Sequence, residues 1–279
     1  MPFDQGKSSR QPSPESPQDL PTKQCPPPRF QAGRVTAKRR PRQINAGSES
    51  HRHHRVITYD RRGFGRSAQP WGGYDYDTLA SDLNAIITEL GLSDLALVGF
   101  SMGGGEVARY LGTYGTSKVS KAALISSVTP FLLKTADNPH VVDQSVFDEI
   151  LAGLKSDRPH FLAGFGTKFF GNSLVKKRVS VEILAWTLQV AMLGSLRATL
   201  ECGKSFATTD FRPDMAAFTI PTLIIHGTGD ETVPIDSSAR RAAELIPGAT
   251  VHEYEGEPHG LHVTAKERLN FDLLAFLQG

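Results

Sequence analysis

Two hydrophobic periods alternate along most of the chain. Val56-Ile57-Thr58-Tyr59 is a β-branched and aromatic run closed by Asp60 and a glycine-rich turn, which predicts a short buried strand. Leu79, Leu83, Ile86, Ile87 and Leu90 then fall on one face of a helix that Asp77 or Thr78 can cap and Gly91 can end. Leu95 to Phe100 is a second apolar strand, a helix follows from about Met102 through Leu111, and Ala122 to Ser126 is a third strand. Strand, helix and strand at this spacing imply right-handed parallel crossovers and an α/β architecture. From about 130 to 215 helical segments follow one another instead, including an apolar stretch from Val181 to Leu200. Thr187, Gln189 and Ser195 interrupt that stretch, and Glu182 and Arg197 bound it, so it is too short and too polar to span a membrane. Helices inserted in this way predict a cap over the sheet. The alternation resumes with a strand at Thr222 to Ile225, a helix from about Asp236 to Leu245, a strand at Thr250 to Tyr254 and a last helix through Leu269, Leu273, Leu274 and Phe276.

Residues 1 to 55 show neither period. They hold nine of the 18 prolines and few large apolar side chains, too little to offset their ordering entropy, so a disordered basic segment is expected before a domain at 56 to 279. Charge divides at the same place, with 11 Lys and Arg against 4 Asp and Glu before it and 20 against 25 after it. The near-cancelling total of +2 gives no argument for a nucleic-acid partner. The run Lys38-Arg39-Arg40-Pro41-Arg42 is read as a solvated tail, and His51, His53 and His54 look like a metal tract but have no carboxylate or Cys beside them to complete one. Cys25 and Cys202 are too few for a disulfide framework. No apolar run follows the first residues, so the expectation is a soluble, cytoplasmic protein without a membrane partner.

Chemistry concentrates at strand ends. Gly99-Phe100-Ser101-Met102-Gly103 sets a serine between small residues at a strand-to-helix turn, the context of a nucleophile elbow, although the pentapeptide alone also suits a helix-capping serine. A serine hydroxyl needs a base, and the base needs a carboxylate to fix its tautomer. Asp230 follows the strand at 222 to 225, and His259 follows the last strand, both on loops where parallel sheets place their sites. Glu231 and Asp236 compete for the acid's place, but Asp236 reads as a helix cap; His226 and His262 compete for the base's, with His226 read as a packing or supporting residue. A zinc held by His259, His262 and Glu257 finds no recurring ligand spacing. Arg62 to Ala68 lacks the third glycine of a dinucleotide fingerprint, and Gly103-Gly104-Gly105 lacks the Lys of a phosphate loop. The segment Asp60 to Ser67 is read instead as a rigid turn in which Asp60 anchors neighbouring backbone.

These residues resemble the α/β-hydrolases, and within them the cofactor-free haloperoxidase, perhydrolase and aryl esterase group. The resemblance is carried by Asp60 to Ser67 with Gln69-Pro70-Trp71, Gly99 to Arg109, Gly229-Asp230 with Val233-Pro234, and Pro258-His259-Gly260-Leu261. It implies an α/β-hydrolase fold with a mostly parallel sheet and helical cap, Ser101 as nucleophile, His259 as base, Asp230 as its orienting acid and the Met102 N–H as one oxyanion donor. It further implies no cofactor or metal, and as partners a small ester or short carboxylic acid, with hydrogen peroxide and a halide. The choice of acceptor would depend partly on the oxyanion loop and partly on cap residues such as Phe131, Phe161, Phe165 and Trp186, aromatics that equally suit the core of the cap. The chain departs from the pattern at its front, where the usual N-terminal hairpin and the central strand with its His-Gly oxyanion loop are not found in residues 1 to 55. A shifted reading frame or a misassigned exon would produce such a join. Loss of that loop implies a gap beside Ser101 and activity lowered roughly 100- to 1,000-fold. Backbone edges left open invite aggregation or pairing with another chain, so a homo-oligomer is one expected outcome.

Overall fold

The structure is a computed structural model and describes residues 54 to 279. The basic segment, the run at 38 to 42, His51, His53, Cys25 and the hairpin and oxyanion strand sought in residues 1 to 55 lie outside the described residues.

Four strands, β1 (Leu95–Phe100), β2 (Val119–Ile125), β3 (Thr222–Gly227) and β4 (Thr250–Tyr254), form one parallel sheet in that order. Side chains alternate across it with period two. Leu124 and Ile224 face one layer of helices, α1 (Tyr76–Glu89) and α2 (Met102–Tyr114), where Leu79, Ile87, Val107 and Leu111 complete the core. Ala123, Ile125, Leu223 and Ile225 face the other side, against Leu261 of α8 (Leu261–Thr264) and Leu269 of α9 (Lys266–Gln278). Covered on both faces, β3 is buried at all six positions, which is why its sequence is apolar without alternation.

Three local expectations are corrected. The cap of α1 is Asp75, whose side chain accepts from the Thr78 N–H at 2.8 Å. Asp77 lies inside the helix and pairs with Arg109 instead. The run Val56 to Tyr59 forms no strand, and Val56 and Tyr59 are each more than two-fifths exposed. Among the described residues no strand lies between this run and β1, so its backbone has no ladder to join, and β1 is an edge strand with Val98 45% exposed. The run is held by side chains: the Tyr59 hydroxyl and the Arg61 guanidinium both donate to Glu106, a buried carboxylate on α2. Asp236 does not cap α7 (Ala239–Leu245); it sits in a 3-10 turn at Ile235–Ser237 and pairs with Arg240 at 2.6 Å.

Between β2 and β3 four helices form the cap: α3 (Gln144–Ser156), α4 (Arg158–Phe169), α5 (Val181–Met192) and α6 (Leu196–Thr208). The apolar stretch expected from Val181 to Leu200 is therefore two helices, bent by 98°. The break falls at Gly194, where an added Cβ would come within 2.6 Å of Phe64, and Ser195 caps α6 by accepting from the Ala198 N–H. No single helix among the described residues is long and apolar enough to cross a membrane. The turn from Asp60 to Ser67 lies beneath α6, with the Arg66 N–H donating to Asp60 as expected. Its Gly63 has φ +80 and stands so near Ala198 and Tyr74 that no side chain fits.

Candidate active site

A strained one-residue turn joins β1 to α2. Ser101 occupies it with φ +52 and ψ −121, a conformation rare for a residue with a Cβ. The turn closes because Gly99 has no side chain: a Cβ there would meet the Gly103 carbonyl oxygen at 2.5 Å. Gly104 and Gly105 are required by packing against Ser127 and against Phe211 and Tyr76. Gly103 meets only Arg61, at 3.9 Å. Gly99→Ala is expected to destabilise the fold by about 1–3 kcal/mol, the usual range for overpacking, and to slow any reaction at Ser101, both readable from a melting curve and an ester assay.

The loops after β3 and β4 are stitched together. Gly229 N–H donates to the Glu257 carbonyl at 3.0 Å, Thr228 and Glu257 N–H both donate to the Tyr254 carbonyl, and Ser126 at the end of β2 donates to the His259 carbonyl. The Gly260 N–H donates to Phe169 at the end of α4, so the cap also holds the histidine loop. Three residues from these separate strand ends then meet in one relay. His259 Nε2 lies 2.9 Å from Ser101 Oγ, and His259 Nδ1 lies 2.6 Å from Asp230 Oδ2. Both His259 and Asp230 are buried, and the imidazole stands between the rings of Phe100 and Phe169, with centroids 5.1 and 4.9 Å away.

The competing residues lie elsewhere or play other parts. Glu231 is exposed and Asp236 is held by Arg240. His262 packs edge-on to Phe100, and burial lowers its pKa to about 4. Glu257 is engaged by Arg178 and Thr264, not by the histidines. His226 is fully buried, with Nε2 at 2.8 Å from the Val233 carbonyl and 3.1 Å from Asp230 Oδ2.

An α/β architecture with a helical cap, a strained serine after the first described strand, and its histidine and carboxylate on later strand-end loops form the geometry of a serine hydrolase. A family model described as the alpha/beta hydrolase fold matches residues 39 to 266. The chain belongs to the α/β-hydrolase family. It is 42% identical to a non-heme chloroperoxidase of Streptomyces lividans, over 81% of this chain and 82% of that one. A bifunctional esterase/perhydrolase of Acinetobacter calcoaceticus is 37% identical, over 80% and 82%. The crystal structure of a bromoperoxidase from Bacillus anthracis superposes with a TM-score of 0.77 at 44% identity, covering 79% of this chain and 80% of that one.

In this α/β-hydrolase, Ser101 and His259 open on a cavity of about 230 Å³ walled by Phe64, Val128, Phe165, Phe169 and Phe206. Of the four cap aromatics singled out in the sequence, Phe165 lines the cavity and Phe161 stacks behind it; Phe131 is buried elsewhere and Trp186 is half exposed. The Met102 N–H opens α2 and, as the first N–H of the helix, has no partner within it.

Burial acts to raise the pKa of Asp230, but hydrogen bonds from His226 and His259 outweigh it and bring the group down to about 2. A carboxylate whose folded value lies below its unfolded one stabilises the fold above the unfolded value, and that contribution is lost as pH falls from about 4 to 2. The difference is worth about 2 kcal/mol. Urea titrations at pH 5 and pH 2.5 should show a loss of stability that is smaller by about this amount in Asp230→Asn.

Proposed function

We propose that the chain is a serine esterase that also makes peracids, with Ser101 as nucleophile, His259 as general base, Asp230 as the orienting acid and the Met102 N–H as an oxyanion donor. The observation that carries this reading is the unbroken relay from Ser101 Oγ through the His259 imidazole to a buried carboxylate. His259 takes the hydroxyl proton as the oxygen attacks an ester carbonyl, and the oxyanion forms beside the first N–H of α2. The imidazolium returns its proton to the departing alcohol, leaving acyl-Ser101. Water releases the carboxylic acid; hydrogen peroxide in its place releases the peracid. A short carboxylic acid can also enter directly, acylating Ser101 with loss of water. The peracid oxidises halide in solution to hypohalous acid and is itself reduced to the carboxylic acid, so no redox cofactor is needed. The activities for which the chloroperoxidase, esterase/perhydrolase and bromoperoxidase relatives are named support both acceptors, and an aromatic cavity suits a small acyl group.

Bromination of a dye in acetate, peroxide and bromide, run beside hydrolysis of a short aryl ester, tests the reading. Both activities are expected, and both should vanish in Ser101→Ala. Ester hydrolysis without peracid would restrict the function to a plain esterase. Absence of both would indicate an inactive scaffold with a binding role.

A further inference from the structure

We propose that His226 is a positioning residue for the catalytic acid, its Nε2–H shared between the Val233 carbonyl and Asp230 so as to hold in place the carboxylate oxygen that faces His259. The inference rests on the triad roles given above. His226 is the next-to-last residue of β3 and is fully buried, so water does not complete its hydrogen bonding. Both atoms beside Nε2, at 2.8 and 3.1 Å, are acceptors. The proton must therefore be on Nε2, since a lone pair there would face two oxygens. Nδ1 is left without a partner in the interior, a cost that a merely space-filling side chain would not carry.

The accounting at Asp230 shows what the arrangement does. Oδ1 accepts from the Thr232 and Val233 N–H groups, at 2.9 and 2.8 Å. Oδ2 accepts from His259 at 2.6 Å, and apart from that bond its one neighbouring donor among the described residues is His226. With the two backbone bonds alone, the carboxylate is pinned at one oxygen and can swing the other away from the imidazole. A donor rooted in the central strand β3 removes that freedom. The bond to the Val233 carbonyl also closes the turn that supplies the backbone donors, so one ring fixes both ends of the acid loop.

The test compares two replacements in the full chain. His226→Phe keeps the ring and removes the donor; His226→Gln puts an amide N–H close to the place of Nε2. Ester hydrolysis by His226→Phe is expected to fall about tenfold to a hundredfold in kcat, the range for one lost charge-assisted bond, with KM changed less than about twofold. His226→Gln should recover most of that loss. The low-field proton resonance of the His259–Asp230 hydrogen bond should shift in the Phe variant and return toward the wild-type position in the Gln variant. Wild-type kcat in His226→Phe, or equal slowing in two variants that melt normally, would overturn the proposal. Should the Phe variant not fold, His226→Asn replaces it, since its amide is too short to reach Asp230: Asn slow and Gln active supports the assignment, and equal rates reject it. A wild-type chain that takes no fluorophosphonate label at Ser101 overturns the triad itself, a result distinct from a wild type that labels and a Phe variant that labels equally fast.

Discussion

Ser101→Ala is expected to lower ester turnover by a factor on the order of 10⁶ and to eliminate covalent labelling by a fluorophosphonate probe. Alanine takes away the only atom that the His259 imidazole, 2.9 Å distant, can activate. The loss should come without unfolding, because Ala at the φ +52 position bears the same backbone strain as Ser and the serine side chain makes no capping bond to α2. His259→Ala should be nearly as damaging, since among the described residues no other base is hydrogen-bonded to the Ser101 hydroxyl. The double variant should be no slower than either single one, as expected for side chains that act as a unit and lose their function together. Multiplying losses would mean that Ser101 and His259 act independently, and a Ser101→Ala protein retaining even a hundredth of wild-type turnover would place the chemistry elsewhere.

How far such a site can be read from sequence depends on whether the signal is local. Ser101 was legible because its glycines, its apolar strand and its helix adjoin it in the chain, and β1 and β4 begin and end at the residues expected of them. Asp230 and His259 were legible through order and strand-end position, although nothing local separates Asp230 from Glu231; burial against β4 and the His259 loop makes that distinction. Long-range partners were the invisible part. Val56 to Tyr59 has strand composition, yet a strand exists only with a neighbour to pair with, and the described sheet offers none beside it. Asp236 and Asp77 have the composition of caps but are drawn to Arg240 and Arg109, contacts set by how elements meet. The break at Gly194 answers to Phe64, 130 positions earlier in the chain. His226 was legible as a packing or supporting residue at the end of its strand, but no spacing rule reveals that its Nε2 stands beside Asp230.

Asp230→Asn should reduce kcat by about 10⁴ while leaving the fold and the volume of the site almost unchanged. The cause is the tautomer of His259. In the wild type Oδ2 accepts from Nδ1, so Nε2 presents a lone pair to the Ser101 hydroxyl. The asparagine oxygen is expected to remain where Oδ1 accepts the Thr232 and Val233 N–H groups, because turning it away would leave two buried donors unpaired. Its amide N–H₂ then faces His259, which must answer with an unprotonated Nδ1 and carry its proton on Nε2. That nitrogen becomes a donor toward Ser101 and can no longer take its proton. The same amide also meets the Nε2–H of His226, donor against donor, which adds a modest loss of stability at neutral pH. Ester hydrolysis by Asp230→Asn should therefore stay roughly a hundredfold above the residual rate of the Ser101→Ala protein, with substrate affinity retained in both. Turnover within tenfold of wild type would show that Asp230 does not set the tautomer, and would leave the orienting role to some other contact of the imidazole.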